Sequence, residues 1–81
     1  MKLADTVELM QSEDFKERFR AEYYQAKIRS EKLHDTLVKY ETGTLTFSPK
    51  CSIEILKRQY DVMIEYVYLL EVRAKIEGIE L

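Results

Sequence analysis

The residues of this chain with the means to do chemistry gather in one stretch: Arg18, Arg20, Tyr23, Tyr24, Lys27 and Arg29. Arg20 and Tyr24 are four apart, Tyr24 and Lys27 three apart, so on a helix these three share a face. An aromatic ring able to stack on a base, beside cations able to hold a phosphate, is the minimum for gripping a nucleotide. A plainer reading stands next to it: tyrosine and arginine at helical spacing also make contacts between subunits, where both residue types are enriched. Arg73 is the second candidate. It interrupts an otherwise apolar row, so it must emerge at an edge, pair with an acid or meet a bound anion, because an unpaired buried charge is costly. Gln59 in the same row needs hydrogen-bonding partners if it is covered.

The parts of a catalytic or metal site do not assemble in the sequence. His34 is the one histidine and Cys51 the one cysteine, and their separation implies no nucleophile pair. His34 reads as a surface or partly covered side chain. Cys51 flanks a helix start, yet it reads first as a small apolar packing residue. Glu31 with Asp35 and Glu13 with Glu17 look like solvated faces, and no glutamate is paired with histidine as metal-binding bundles require. A glycine-rich phosphate loop is absent. The expectation is a binding protein with no enzymatic activity, no cofactor and no metal.

These side chains need scaffolding, and its period is helical. Leu56, Tyr60, Met63, Val67, Leu70 and Ala74 alternate steps of four and three, which makes a seam on one side of a helix. Ile55, Gln59, Val62, Tyr66, Leu69, Arg73 and Ile76 form a second row with the same rhythm, and Ile53, Ile64, Tyr68 and Val72 extend it. One partner helix cannot cover both rows. Upstream, Phe15, Phe19, Tyr23, Ala26, Ser30, Leu33, Leu37 and Tyr40 supply the matching seam. Ser12 reads as its N-cap, with Glu13 and Asp14 favourable at the positive end of the helix dipole. Gly43 falls where a left-handed cap is wanted. Leu45 and Phe47 read as extended chain plugging the open end of the hairpin, and Ser48-Pro49 and Ser52 compete as the start of the next helix. Gly78 ends that helix, and Ile79-Glu80-Leu81 follows as a short apolar tail. Leu3, Val7 and Met10 space out as one face of a short helix.

The expected architecture is all-α. It is one domain over residues 1–81, with a short helix over 3–10, long helices over 12–41 and 51–77 joined by a connection over 42–50, and the two long helices antiparallel. At 81 residues, a lone core supplies only about 3–5 kcal/mol and oligomerisation is a common supplement. The surplus row therefore predicts a homo-oligomeric bundle. A net charge of −2 favours neither duplex nucleic acid nor anionic membrane. Acidic residues Asp5 and Glu8 interrupt what a secretory signal would need apolar, no run approaches a membrane span, and a single cysteine suits a reducing compartment, so the expected location is cytoplasmic.

The order R18-F-R-A-E22, then K27-I-R-S-E-K-L33 and Leu37, a connection with glycine and proline, then I55-L-x2-Q59-x3-M63-x2-Y66-x2-L69-L70-x2-R73, resembles small phage and prophage proteins described as crAss-phage related. The resemblance spans most of residues 15–77. That group is similar in layout to the phage sponges that counter CBASS and Thoeris immunity. Those are helical hairpins that assemble as homo-oligomers, often hexamers, and sequester cyclic oligonucleotides or cyclic ADP-ribose signals between subunits. The likeness places Lys27 where a sponge lysine contacts ligand, and Gln59 and Met63 on a Q-x3-M pair. Two positions depart. Phe15 is only a loose counterpart of the sponges' aromatic residue before the first helix, and Val67 stands where they carry an arginine that helps bind trinucleotides.

The resemblance thus implies a phage anti-defence protein that binds a nucleotide immune signal without cleaving it. Tyr23 or Tyr24 would stack on a base, and Lys27, Arg20 and Arg73 would hold phosphate. Two other readings remain open from the residues: a helical module that docks its surplus apolar row on a host or phage protein, and a DNA-binding regulator. The second has against it the mixture of Lys57, Arg58, Arg73 and Lys75 with Glu54, Asp61, Glu65, Glu71 and Glu77, which is unlike a basic recognition helix.

Overall fold

A computed structural model describes all residues, 1–81. A 3-10 turn over Leu3–Thr6 runs into a one-turn helix α1 (Val7–Met10), followed by the long helices α2 (Phe15–Glu41) and α3 (Ile53–Glu77), with no strand. Helix α2 begins two residues later than a cap at Ser12 predicts. Asp14 is the cap, its carboxylate accepting from the Lys16 amide at 2.9 Å. Ser12 instead accepts from the Asp14 amide and donates to Glu17, which shapes the turn into the helix. Between the two candidate starts of α3, Ser52 is the cap, accepting from the Ile55 amide.

The pairing order makes the hairpin antiparallel: Lys16 reaches Gly78, Tyr23 reaches Glu71, His34 faces Tyr60, and Glu41 pairs with Lys57. Phe19, Tyr23, Leu70, Ala74 and Ile79 form the buried cluster, with Tyr24, Ala26 and Val67 packed against it. Both seams are therefore interfacial. Leu70, 1 % exposed, is worth about 1.5–3 kcal/mol by burial alone. Phe15 and Tyr40 lie at the two ends of the α2 seam, where α3 no longer covers them, and both are exposed.

The N-terminal segment packs on α2 away from α3 through a different face than Leu3, Val7 and Met10 predict. Val7 and Met10 are exposed, while Thr6 is buried. Its hydroxyl donates to the Leu3 carbonyl at 2.7 Å and accepts from the Gln25 amide at 2.9 Å, so the buried polar group is satisfied. The 3-10 turn rotates the stripe, which a continuous α-helix over 3–10 would not.

The connection is left-handed at Gly43 as expected and departs from expectation at Phe47. Gly43 takes a left-handed φ of 71°, and the Thr44 and Leu45 amides fold back on the Lys39 carbonyl. That holds Leu45 half-buried and leaves Phe47 exposed, so Phe47 does not plug the hairpin. Cys51 is exposed too, just ahead of the Ser52 cap, and is not a packing residue. No helix is long and apolar enough to cross a membrane.

At the far end, Gly78 (φ 69°) turns the chain out of α3. The Ile79 amide bonds to the Ala74 carbonyl at 2.8 Å, and the Ile79 side chain drops into the core. This capped return makes one wall of a groove against α3.

Candidate functional site

Where the tail folds back, it leaves a groove of about 730 Å³ against α3, lined by residues that include Tyr23, Tyr68, Glu71, Lys75, Ile79 and Glu80. Its size lies in the range of about 300–1,000 Å³ usual for small-molecule sites. Tyr68 is largely exposed and Tyr23 almost wholly buried, so the first offers a ring face and the second is structural.

Helix α2 supplies cations along this flank. Lys16 donates to the Gly78 carbonyl at 3.3 Å, Arg20 donates through Nε to the Glu80 carbonyl at 2.6 Å, and Lys27 donates to the Tyr23 hydroxyl at 3.4 Å. All three acceptors are neutral. None of the three is in a direct ion pair, although Glu31 and Glu71 attract Lys27 from farther off. Lys75 is the cation that lines the groove itself, with the carboxylates of Glu71 and Glu80, while Lys16, Arg20 and Lys27 reach it only through oxygens of its lining residues Gly78, Glu80 and Tyr23.

Tyr23 joins the two helices, its hydroxyl donating to Glu71 Oε2 at 2.7 Å. Burial, reinforced by the hydrogen bond to Glu71, pushes the phenol pKa up. The bond to the Tyr23 oxygen, with further attraction to the nearby carboxylates, raises that of Lys27. Both groups therefore keep their protons and their geometry at neutral pH. Lys27 also sits 5.7 Å from the centre of the Tyr23 ring.

The expected binding residues divide. Arg20, Tyr23 and Lys27 come together on the groove flank, and Tyr24 packs edge-on against Tyr23 with centroids 5.3 Å apart, half-buried and behind the groove rather than lining it. Arg73 does not join them. Two residues make about 200° of helix rotation, so Arg73 points away from Glu71 and Lys75. It lies 4.9 Å from the Phe19 ring and pairs with Glu77 at 3.0 Å, the edge exposure and acid pairing that an arginine in an apolar row requires. Gln59 is exposed and sits far along α3 from Lys27.

The sequence reading missed Lys16, Tyr68, Glu71, Lys75 and the tail. Lys16 and Arg20, four apart, and Tyr68, Glu71 and Lys75 at steps of three and four were legible as helix faces. What was hidden is that Gly78 folds the tail onto them. No cluster of three or more His, Cys, Asp or Glu side chains is arranged to hold a metal ion.

No curated protein and no solved structure matches the chain. The Sequestin family model matches residues 13–76. That span takes in nearly all of both long helices, with Lys16, Arg20, Lys27 and Lys75, and the chain belongs to the Sequestin family, whose name denotes sequestration.

Proposed function

We propose that the protein sequesters a nucleotide immune signal, of the cyclic oligonucleotide or cyclic ADP-ribose type, and retains it without cleaving it. In this reading it is a phage anti-defence protein, anti-CBASS or anti-Thoeris, acting in the cytoplasm of an infected bacterium as a homo-oligomer. The family name supports the sequestering part. The observation that carries the nucleotide part is the groove: an exposed Tyr68 ring and Lys75 in its lining, with Lys16, Arg20 and Lys27 bonded to the neutral oxygens of its lining residues Gly78, Glu80 and Tyr23.

A phosphate arriving there would replace backbone carbonyls as the partner of Lys16 and Arg20, and charge-assisted bonds are roughly twice as strong as neutral ones. A base stacked on Tyr68 would add about 1–3 kcal/mol. Glu71 commits one carboxylate oxygen to Tyr23, and its other oxygen is an acceptor suited to a ribose hydroxyl. Sequestration asks only for affinity and abundance, not for transition-state stabilisation.

Calorimetry of the purified protein against a panel of cyclic dinucleotides, cyclic trinucleotides and cyclic ADP-ribose isomers tests this, followed by recovery of the bound ligand after heat denaturation. The expected result is submicromolar uptake of at least one class, recovered chemically intact. No uptake at micromolar concentration, or recovery of a hydrolysed product, would overturn it.

One observation favours a second reading. Ile55, Val62, Tyr66, Leu69 and Ile76 are between 41 and 78 % exposed, a row able to dock on a host or phage protein. In that case polar substitution of Tyr66 or Leu69 abolishes activity in cells while charge reversal at Lys27 leaves it intact.

A further inference from the structure

The exposed row of α3 has an order that bears on what covers it. Read along the helix it runs Ile55, Gln59, Val62, Tyr66, Leu69, Arg73, Ile76. Read backwards from Tyr66 it has the same chemistry, aliphatic, polar, aliphatic on each side of a tyrosine, at steps of four, three and four toward Ile55 and of three, four and three toward Ile76. A two-fold axis passing by Tyr66 would lay this row on a second copy of itself, with Ile55 against Ile76, Val62 against Leu69 and Tyr66 against Tyr66. Self-complementarity of this kind is what an isologous contact requires.

Polar pairing selects the direction. A parallel pair would set Arg73 against Arg73 and Gln59 against Gln59. The antiparallel pair exchanges them. Arg73 uses Nε on Glu77, and its remaining guanidinium donors would then face the amide oxygen of Gln59, an acceptor without charge to repel them. The register is selected as well. Moving the axis one turn to Val62 would carry Arg73 and Ile76 past the start of the partner's α3 at Ile53, leaving Ile76, the most exposed residue of the row at 78 %, uncovered.

We infer that α3 pairs antiparallel with α3 of a second copy about a two-fold axis at Tyr66, Gln59 of each copy meeting Arg73 of the other. The row lies on the flank of α3 turned away from Lys75 and Glu71, where the Tyr66 hydroxyl donates to Glu22 of α2. The pairing therefore leaves both grooves open to solvent, and it does not depend on what they bind.

Single cysteines placed on the row of a Cys51→Ser variant test the register. Under mild oxidation Tyr66→Cys is expected to give a disulfide-linked dimer, and Val62→Cys or Leu69→Cys alone none. The double variant Val62→Cys/Leu69→Cys leaves Tyr66 in place and is expected to cross-link between chains. Its two positions are about 10.5 Å apart along one helix, too far to bridge within a chain. Light scattering of Cys51→Ser is expected to give an even multiple of 9.7 kDa. A lone monomer, an odd multiple, no cross-link in either Tyr66→Cys or Val62→Cys/Leu69→Cys, or cross-linking of Val62→Cys or Leu69→Cys alone overturns the inference.

Discussion

Tyr23 of α2 donates its phenol proton to Glu71 of α3 at 2.7 Å, across the seam of the hairpin and at the floor of the groove. One hydrogen bond thus joins the fold to the candidate site.

Tyr23→Phe removes that bond and leaves Glu71 to water at the groove edge, which costs about 1 kcal/mol. The pH dependence follows from the raised phenol pKa. The folded state holds the proton more tightly than the unfolded chain does, so the contribution is complete below the ordinary value of 10.0. It is lost as pH rises through the higher folded value. Urea melts from neutral pH into the alkaline range are expected to show a decline that is shallower in Tyr23→Phe.

Leu70→Ala empties a position that is 1 % exposed and is expected to cost about 2–5 kcal/mol. For a core of this size that is most of the stability, and circular dichroism should show a largely unfolded chain. Leu69→Ala, one residue earlier but half exposed, should leave the secondary structure intact. Its effect is expected in the concentration dependence of the melting temperature, which self-association creates and this substitution weakens.

Lys27→Gln and Arg20→Gln each remove a cation bonded to a groove-lining residue and are expected to weaken nucleotide uptake by roughly tenfold to a hundredfold, the worth of one charged hydrogen bond. The wild-type affinity should fall as salt rises. Arg73→Gln, on the opposite flank, should change uptake by less than about threefold. Calorimetry at two salt concentrations reads all three.

Gly78→Ala meets no steric obstacle to its methyl group within 4 Å, so its cost is conformational: φ is 69°. A penalty of about 1–2 kcal/mol is expected. Because the turn seats Ile79 and presents the carbonyls that hold Lys16 and Arg20, the same substitution should also perturb the amide resonances of the tail in NMR spectra. Thr42→Ala, at the other end of α2, should not.

The seams were legible because burial imposes a period. Phe19, Tyr23, Leu37, Leu70 and Ala74 are buried where the alternation of four and three puts them. The ends were less so, since Ser12 and Asp14 are both good caps and the choice turns on local hydrogen bonds among Ser12, Asp14 and Glu17. Thr6 was missed because a polar residue gains burial only when a distant partner, Gln25, satisfies it. The groove was hidden for a related reason. Arg20 and Tyr23 could be seen as one patch, but the wall that turns the patch into a cavity comes from Ile79 and Glu80, some 60 residues on. Helical periodicity carries no information about such contacts.

The chain has six tyrosines and no tryptophan. Nothing outshines the phenols, and Tyr68, the ring open to the groove, emits directly into solvent. A purine laid over it would quench that emission, so the unlabelled protein is its own optical sensor and a titration followed by intrinsic fluorescence needs no dye.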